Sequence, residues 1–208
     1  MHDLRTIRRC ITDTPMVSAE TLAKGATLEP GPIALQGRAA ATGELINSPI
    51  SGVPLIGYRI QFSELGFFGR VKASFAVRRV SPFALIIGDG HVEVSPTAHC
   101  YLYLTHEYRG TPEAMGSIAS AAYKLYAQHA PGKKSRVPRL SWHEYYLEPG
   151  ETTYVCGWLK EEFDMDRGEG YRAHRTRPVV CATEEHPLII ADYSRETLLQ
   201  KIDTLPGH

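Results

Sequence analysis

The sequence has no long apolar run: nothing in its 208 residues approaches the roughly 18 to 20 consecutive apolar residues that a membrane-spanning helix needs. Its basic amino terminus, MHDLRTIRRCI, has no apolar segment behind it and so does not read as a secretory signal. As given, the chain is expected to be soluble. It carries no excess of charge, with 23 Lys and Arg against 23 Asp and Glu, which removes the whole-molecule field that draws basic proteins to nucleic acid. Paired cysteines are missing too. Cys10, Cys100, Cys156 and Cys181 stand far apart with no C-x-x-C, and the last three lie in apolar, strand-like runs where buried, reduced thiols are expected.

The motifs that carry chemistry are equally scarce. Nine histidines are scattered without H-x-x-x-H, H-E-x-x-H or any Cys/His quartet at zinc spacing. There is no G-x-S-x-G elbow, and neither a P-loop nor G-x-G-x-x-G opens a helix; G-D-G and G-E-G read as turns. His99 and Cys100 are neighbours, as are His143 and Glu144. In a strand such neighbours point to opposite faces, so His99 and Cys100 share no metal ion, and of His143 and Glu144 one is expected to be exposed and the other satisfied by a cross-strand partner. The acidic tract Glu161, Glu162, Asp164 and Asp166 lacks calcium-loop spacing and reads as a solvated hairpin. No catalytic residue, metal ligand or cofactor is expected.

What the chain does contain is two-residue periodicity. Ile33, Leu35 and Gly37 alternate with polar neighbours, as do Tyr58, Ile60 and Phe62, and Val71, Ala73, Phe75 and Val77. Each pattern predicts a half-buried strand. Phe83–Ile87 runs into G-D-G and returns through Val92 and Val94, a strong hairpin signal. Strands are also expected at 100–105, 139–147, 153–159, 179–182 and 188–191. Three helices break the pattern. Leu4, Ile7 and Ile11 share a stripe ended by T-P, and Thr111–Ala130 has a Thr-Pro-Glu start, a stripe of Met115, Ile118, Ala122, Leu125 and Tyr126, and a Pro-Gly stop. Ser194 caps a last helix through Ile202. A further short helix is predicted from Ser18 to Gly25. The sum is an α+β fold, mainly an antiparallel β barrel or sandwich, with one long inserted helix and short terminal helices.

Two groups of basic residues stand out. Lys133, Lys134, Arg136 and Arg139 form an exposed basic loop, the best local candidate for an anionic partner and for a reading as a lipid-headgroup- or oligonucleotide-binding barrel. Arg5, Arg8 and Arg9 read from spacing alone as a solvated helix face. Tyr101, Tyr103, Tyr145 and Tyr146 offer aromatic surface for stacking, but without interleaved basic residues sheet packing is the stronger account.

Read in order, I-T-D-T-P (11–15), IALQGRAAA, S-P-I-S-G-V-P leading into GYRIQ, S-P-F-A-L-I-I-G-D-G-H-V-E-V, W-H-E-Y-Y-L-E-P-G-E-T-T-Y-V-C-G-W-L and P-L-I-I-A-D-Y-S-R-E-T-L-L resemble the GIDE, or BAM, domain. This domain occurs in membrane-anchored mitochondrial RING ubiquitin ligases and in bacterial membrane proteins. The resemblance runs from Ile11 to Ile202 and rests on the order and spacing of turn residues. It implies a helical flank at 1–25, one GIDE-like domain at 26–208, and a membrane-associated parent reached through segments outside this chain. Arg5, Arg8 and Arg9 would then be the flank of a span, where positive charge fixes orientation. The zinc-bound RING on which ubiquitin transfer depends has no counterpart here, and the usual cysteine of S-P-x-S-G-x-x-C is Leu55. The expectation is a non-catalytic interaction or sensor module with a protein partner; the alternative is a component of a ubiquitin-ligase-like system whose RING lies outside the chain.

Overall fold

A computed structural model describes residues 3–18, 21, 29–97, 99–110, 116–130, 139–163 and 176–204. In chain order the elements begin with α1 (Leu4–Asp13), β1 (Gly31–Ala41), β2 (Ile46–Asn47), β3 (Pro54–Leu55), β4 (Gly57–Leu65), β5 (Val71–Val80), β6 (Phe83–Ile87) and β7 (Gly90–Ser95). They continue with β8 (Cys100–Tyr103), β9 (Glu107–Gly110), α2 (Gly116–His129), β10 (Arg139–Leu147), β11 (Thr152–Phe163), β12 (Thr176–Cys181), β13 (Leu188–Ala191) and α3 (Arg195–Asp203). The sequence shows no linker, and none is needed. The chain passes four times between two compact units, Met1–Glu44 with Ser81–Tyr103 and Pro149–His208, and Leu45–Val80 with Leu104–Glu148.

The first unit is a barrel. Its strands run β1-β6-β7-β12-β11, and β11 pairs back with β1 to close the ring. All neighbours are antiparallel except β7 and β12, which are parallel. This order and these directions are those of the five-stranded Greek-key barrel known as the OB fold. Cross-strand pairs show how the two-residue period closes the core: Leu35 faces Val155, Ala39 faces Leu85, Leu85 faces Val92, Phe83 and Val180 face Val94, and Leu159 faces Val180. All are buried, so one face of every strand lines the interior. Gly37 and Gly157 fall on that inner face where backbones crowd. A Cβ on Gly37 would overlap the Ile86 carbonyl oxygen, and one on Gly157 would stand 2.9 Å from the Cys181 oxygen.

Helices cover the outer face of β1, β11 and β13. Ile7 and Ile11 of α1 and Leu198 and Ile202 of α3 pack with Ala34, Tyr154, Cys156, Ile189 and Ala191. The predicted stripe of α1 is therefore the buried one. Asp3 caps it, accepting from the Thr6 amide at 2.7 Å, and Thr14-Pro15 ends it. Ser194 caps α3 by accepting from the Thr197 amide. Strand β13 joins β11 and carries β8 in parallel at the sheet edge.

The cysteines are all free; Cys100, Cys156 and Cys181 are buried, as their apolar settings predict, and Cys10 is partly covered. Burial pushes the Cys156 thiol up to about 11 and raises those of Cys10 and Cys181. With a disulfide-exchange reagent at pH 8, the native protein is expected to release at most the Cys10 equivalent rapidly, and all four only after denaturation. Rapid release of four would contradict this packing.

The second unit is a four-stranded antiparallel sheet, β5-β4-β10-β9. Helix α2 covers one face. Ala119, Ala122, Leu125 and Tyr126 pack with Tyr58, Ile60, Phe62, Leu140 and Trp142, so the helical stripe read from sequence meets the apolar alternation of β4 and β10. The proposed Thr111 cap, Met115 and the Pro-Gly stop lie outside the described residues, as does most of the helix predicted from Ser18. Gly57 allows a close backbone approach: an added Cβ would stand 3.1 Å from the Arg79 oxygen and from Val80. The register of this strand pair shifts between Glu64 and Leu65.

Candidate functional site

The two faces of the four-stranded sheet differ sharply in character, and β10 displays both. Its even-numbered residues Leu140, Trp142 and Glu144 are buried; its odd-numbered residues Ser141, His143 and Tyr145 are half exposed on the opposite face. His143 and Glu144 therefore point apart, as their adjacency in a strand requires.

Glu144 is fully buried, and the turn beginning at Ser48 holds it. The Ser48 hydroxyl accepts from the Ile50 amide at 3.1 Å and the Ser51 amide at 3.0 Å, which occupies its lone pairs. Its one proton is left for Oε1 of Glu144, and Ser51 Oγ donates to the same oxygen at 3.4 Å. Oε2 has no hydrogen-bond partner among the described residues. Burial raises the Glu144 carboxyl above its ordinary range, and the bonds from Ser48 and Ser51 pull it partly back. The turn itself closes through Ser48 N–H to the Val53 carbonyl at 2.8 Å and Gly52 N–H to Ser48 at 3.0 Å, with Gly52 at φ +75°. The S-P-I-S-G segment thus clasps a buried carboxylate as well as turning the chain. A second carboxylate, Glu64, accepts from the Tyr126 hydroxyl at 2.6 Å and ties β4 to α2.

The opposite face is open and polar. Register sets Arg59 opposite Tyr145, Gln61 opposite His143, and Tyr145 opposite Glu107. Arg59 lies 5.7 Å from the Tyr145 ring centroid and donates from Nη2 to Gln61 Oε1 at 3.1 Å. His143 Nδ1 contacts Glu107 Oε1, and its ring stacks on Tyr145 at 6.3 Å with planes 13° apart. On β5, Ser74, Ala76 and Arg78 extend this surface and are exposed. The result is a pre-ordered patch of a cation, an aromatic ring, an amide and a His–carboxylate pair, held on strands rather than on loops.

The residues singled out in the sequence fall in different places. Lys133, Lys134 and Arg136 lie outside the described residues; Arg139 opens β10, exposed and paired in register with Leu65. Arg5, Arg8 and Arg9 lie on the exposed side of α1, with Arg8 Nε 2.7 Å from Asp203 and Arg9 Nε 3.3 Å from Asp13. Tyr101 and Tyr103 pack beside the cluster under α1 and α3, while Tyr146 packs beside the core under α2. Tyr145 alone of the four joins the open polar patch. Glu161 and Glu162 belong to β11, with Glu162 2.6 Å from Lys160; Asp164 and Asp166 lie outside the described residues. Sequence reasoning missed Arg59, Gln61 and Glu107, whose only signal is their place in the polar half of two strand alternations.

In the barrel, the outer side of β6 and β7 presents Ile86, His91, Glu93 and Ser95, with Glu93 2.8 Å from Arg177 of β12. Among the described residues no group of three or more His, Cys, Asp or Glu side chains is placed to hold a metal ion, and no helix is long and apolar enough to cross a membrane. Compared with protein-family models the chain matches none, and comparison with curated proteins finds no match either.

Proposed function

We propose that this chain is a non-catalytic interaction or sensor module of the GIDE type, belonging to a membrane-associated parent, and that the open face of the β5-β4-β10-β9 sheet is where its protein partner docks. The observation that carries this reading is the Arg59–Tyr145–His143–Glu107 patch. Tyrosine and arginine are the side chains that most often anchor protein interfaces, because each offers large contact area with a polar handle. Here Gln61 and Tyr145 hold the Arg59 side chain near a single arrangement, which lowers the entropy lost on binding. The resemblance over residues 11–202 supplies the domain type.

The test is a crosslinking comparison in cells between the parent chain and an Arg59→Ala, Tyr145→Ala double variant. Both sites are half exposed, so the double variant is expected to melt within about 5 °C of the parent. Proteins enriched by the parent are expected to fall at least tenfold, about the loss of one anchor residue. Equal enrichment by both chains would sink the assignment of this face. Turnover of a defined substrate by the purified protein, abolished by changing one or two residues, would sink the non-catalytic reading itself.

A further inference from the structure

The connection between β4 and β5 carries the two most exposed large apolar side chains among the described residues. Phe68 is 96% exposed and Val71 is 61% exposed, three positions apart at one end of the four-stranded sheet. The loop is tight: Gly66 N–H donates to the Arg70 carbonyl at 2.7 Å, and Phe68 and Gly69 both have left-handed backbones, at φ 62° and 72°. Left-handed φ is natural for glycine and uncommon for phenylalanine, so an aromatic ring stands at a position that local backbone preference disfavours. Every charged residue between Leu65 and Gly88 is basic: Arg70, Lys72, Arg78 and Arg79. Arg139 pairs in register with Leu65 and adds a further cation at this end of the sheet. The Lys72 stem runs over the Gly66 backbone, where an added Cβ would stand 2.5 Å from its Cε.

We infer that this hairpin tip docks on an anionic membrane surface, with Phe68 and Val71 entering the headgroup–acyl boundary and Arg70, Lys72 and Arg139 meeting lipid phosphates and carboxylates. The tip combines two exposed apolar side chains with cations at the same end of the sheet, and that chemistry matches an interface whose outer layer is anionic and whose next layer is apolar. Long basic side chains reach headgroups while an aromatic ring beside them sits deeper. This surface belongs to the chain itself and is independent of any span in the parent. It is also separate from the Arg59–Tyr145 patch, so either proposal can fail without the other.

The test uses the 208-residue chain with vesicles of phosphatidylcholine alone and of phosphatidylcholine mixed with phosphatidylserine. The chain is expected to sediment with the mixed vesicles, to stay in solution with the neutral ones, and to be released as salt rises. Phe68→Asn places a residue that tolerates left-handed φ at the tip; it is expected to fold at least as well as the parent and to lose about tenfold or more in vesicle partitioning. Phe68→Trp is expected to retain binding and to give a blue-shifted emission on mixed vesicles only. Sedimentation unchanged by Phe68→Asn, or no sedimentation with mixed vesicles, would overturn the inference. Retention on immobilised polyglutamate without vesicle binding would overturn it in favour of an acidic protein partner.

Discussion

Gly37→Ala is expected to destabilise the barrel unit by about 3 kcal/mol, the upper range for an overpacked core position. The added methyl has nowhere to go: it overlaps the Ile86 carbonyl oxygen and lies 2.8 Å from Ile87 Cγ1. A carbonyl in a sheet ladder does not rotate aside as a flexible side chain can. Relief would therefore push β6 away from β1 where Arg38 pairs with Ile86. The two tryptophans make the measurement local, since Trp158 lies in the barrel unit and Trp142 in the other. In a Trp142→Phe background, the urea midpoint read by Trp158 fluorescence is expected to fall. Gly31→Ala in the same strand is the control. Nothing lies within 4 Å of its added Cβ, and it is expected to change stability by about 0.5 kcal/mol or less. Equal effects at the two glycines would show that the close approach at Gly37 is not what requires glycine there.

Replacing Glu144 is expected to give opposite results according to what takes its place. Glu144→Ala removes a fully buried side chain, opens a cavity beside Trp142 and leaves the Ser48 proton without its acceptor, at a cost of about 3 kcal/mol. Glu144→Gln keeps the shape and the acceptor oxygen while removing the buried charge. Its effect depends on pH, and the sign follows from the raised carboxyl. Because burial lifts the folded carboxyl above the ordinary value of 4.5, the folded state holds the proton more tightly than the unfolded chain does. This contribution to stability is fully present below 4.5 and is lost as pH rises through the folded value. Glu144→Gln is therefore expected to be more stable than the parent at pH 7.5, with the advantage disappearing near pH 4. Urea titrations of both proteins at the two pH values measure it. A difference that stays constant with pH would mean that Glu144 keeps an ordinary carboxyl, stabilised by Ser48 and Ser51 as fully as burial destabilises it.

Glu144 also shows how far a sequence can be read. Alternation along 139–147 places it on the face opposite His143, and the structure agrees. Nothing in the alternation distinguishes a carboxylate clasped by a turn from one in water, because depth depends on what packs above the strand. The partner that tolerates its burial, Ser48, is 96 residues away in sequence. Arg59, Gln61, Tyr145 and Glu107 illustrate the same limit on the open face. Each is one polar residue in a strand, and only the register of β4, β10 and β9 brings them into one patch.

Local physics in the sequence determined the kinds of element and most of their inward faces: the periods of β1, β4 and β10, the part of the β5 period at Phe75 and Val77 (Val71 and Ala73 are exposed), the G-D-G hairpin, the stripes of α1 and α2, the Ser194 cap and the burial of three thiols. These depend on neighbours within a few residues, which the sequence displays directly. The tertiary structure alone decided which strands meet. Residues 31–38 close the barrel against 152–159, β12 enters parallel to β7, and the segments 45–80 and 104–148, which interrupt the first unit in sequence, build a second one. Those choices rest on burying apolar faces contributed by distant segments, and a two-residue period records that a face must be covered without recording what covers it.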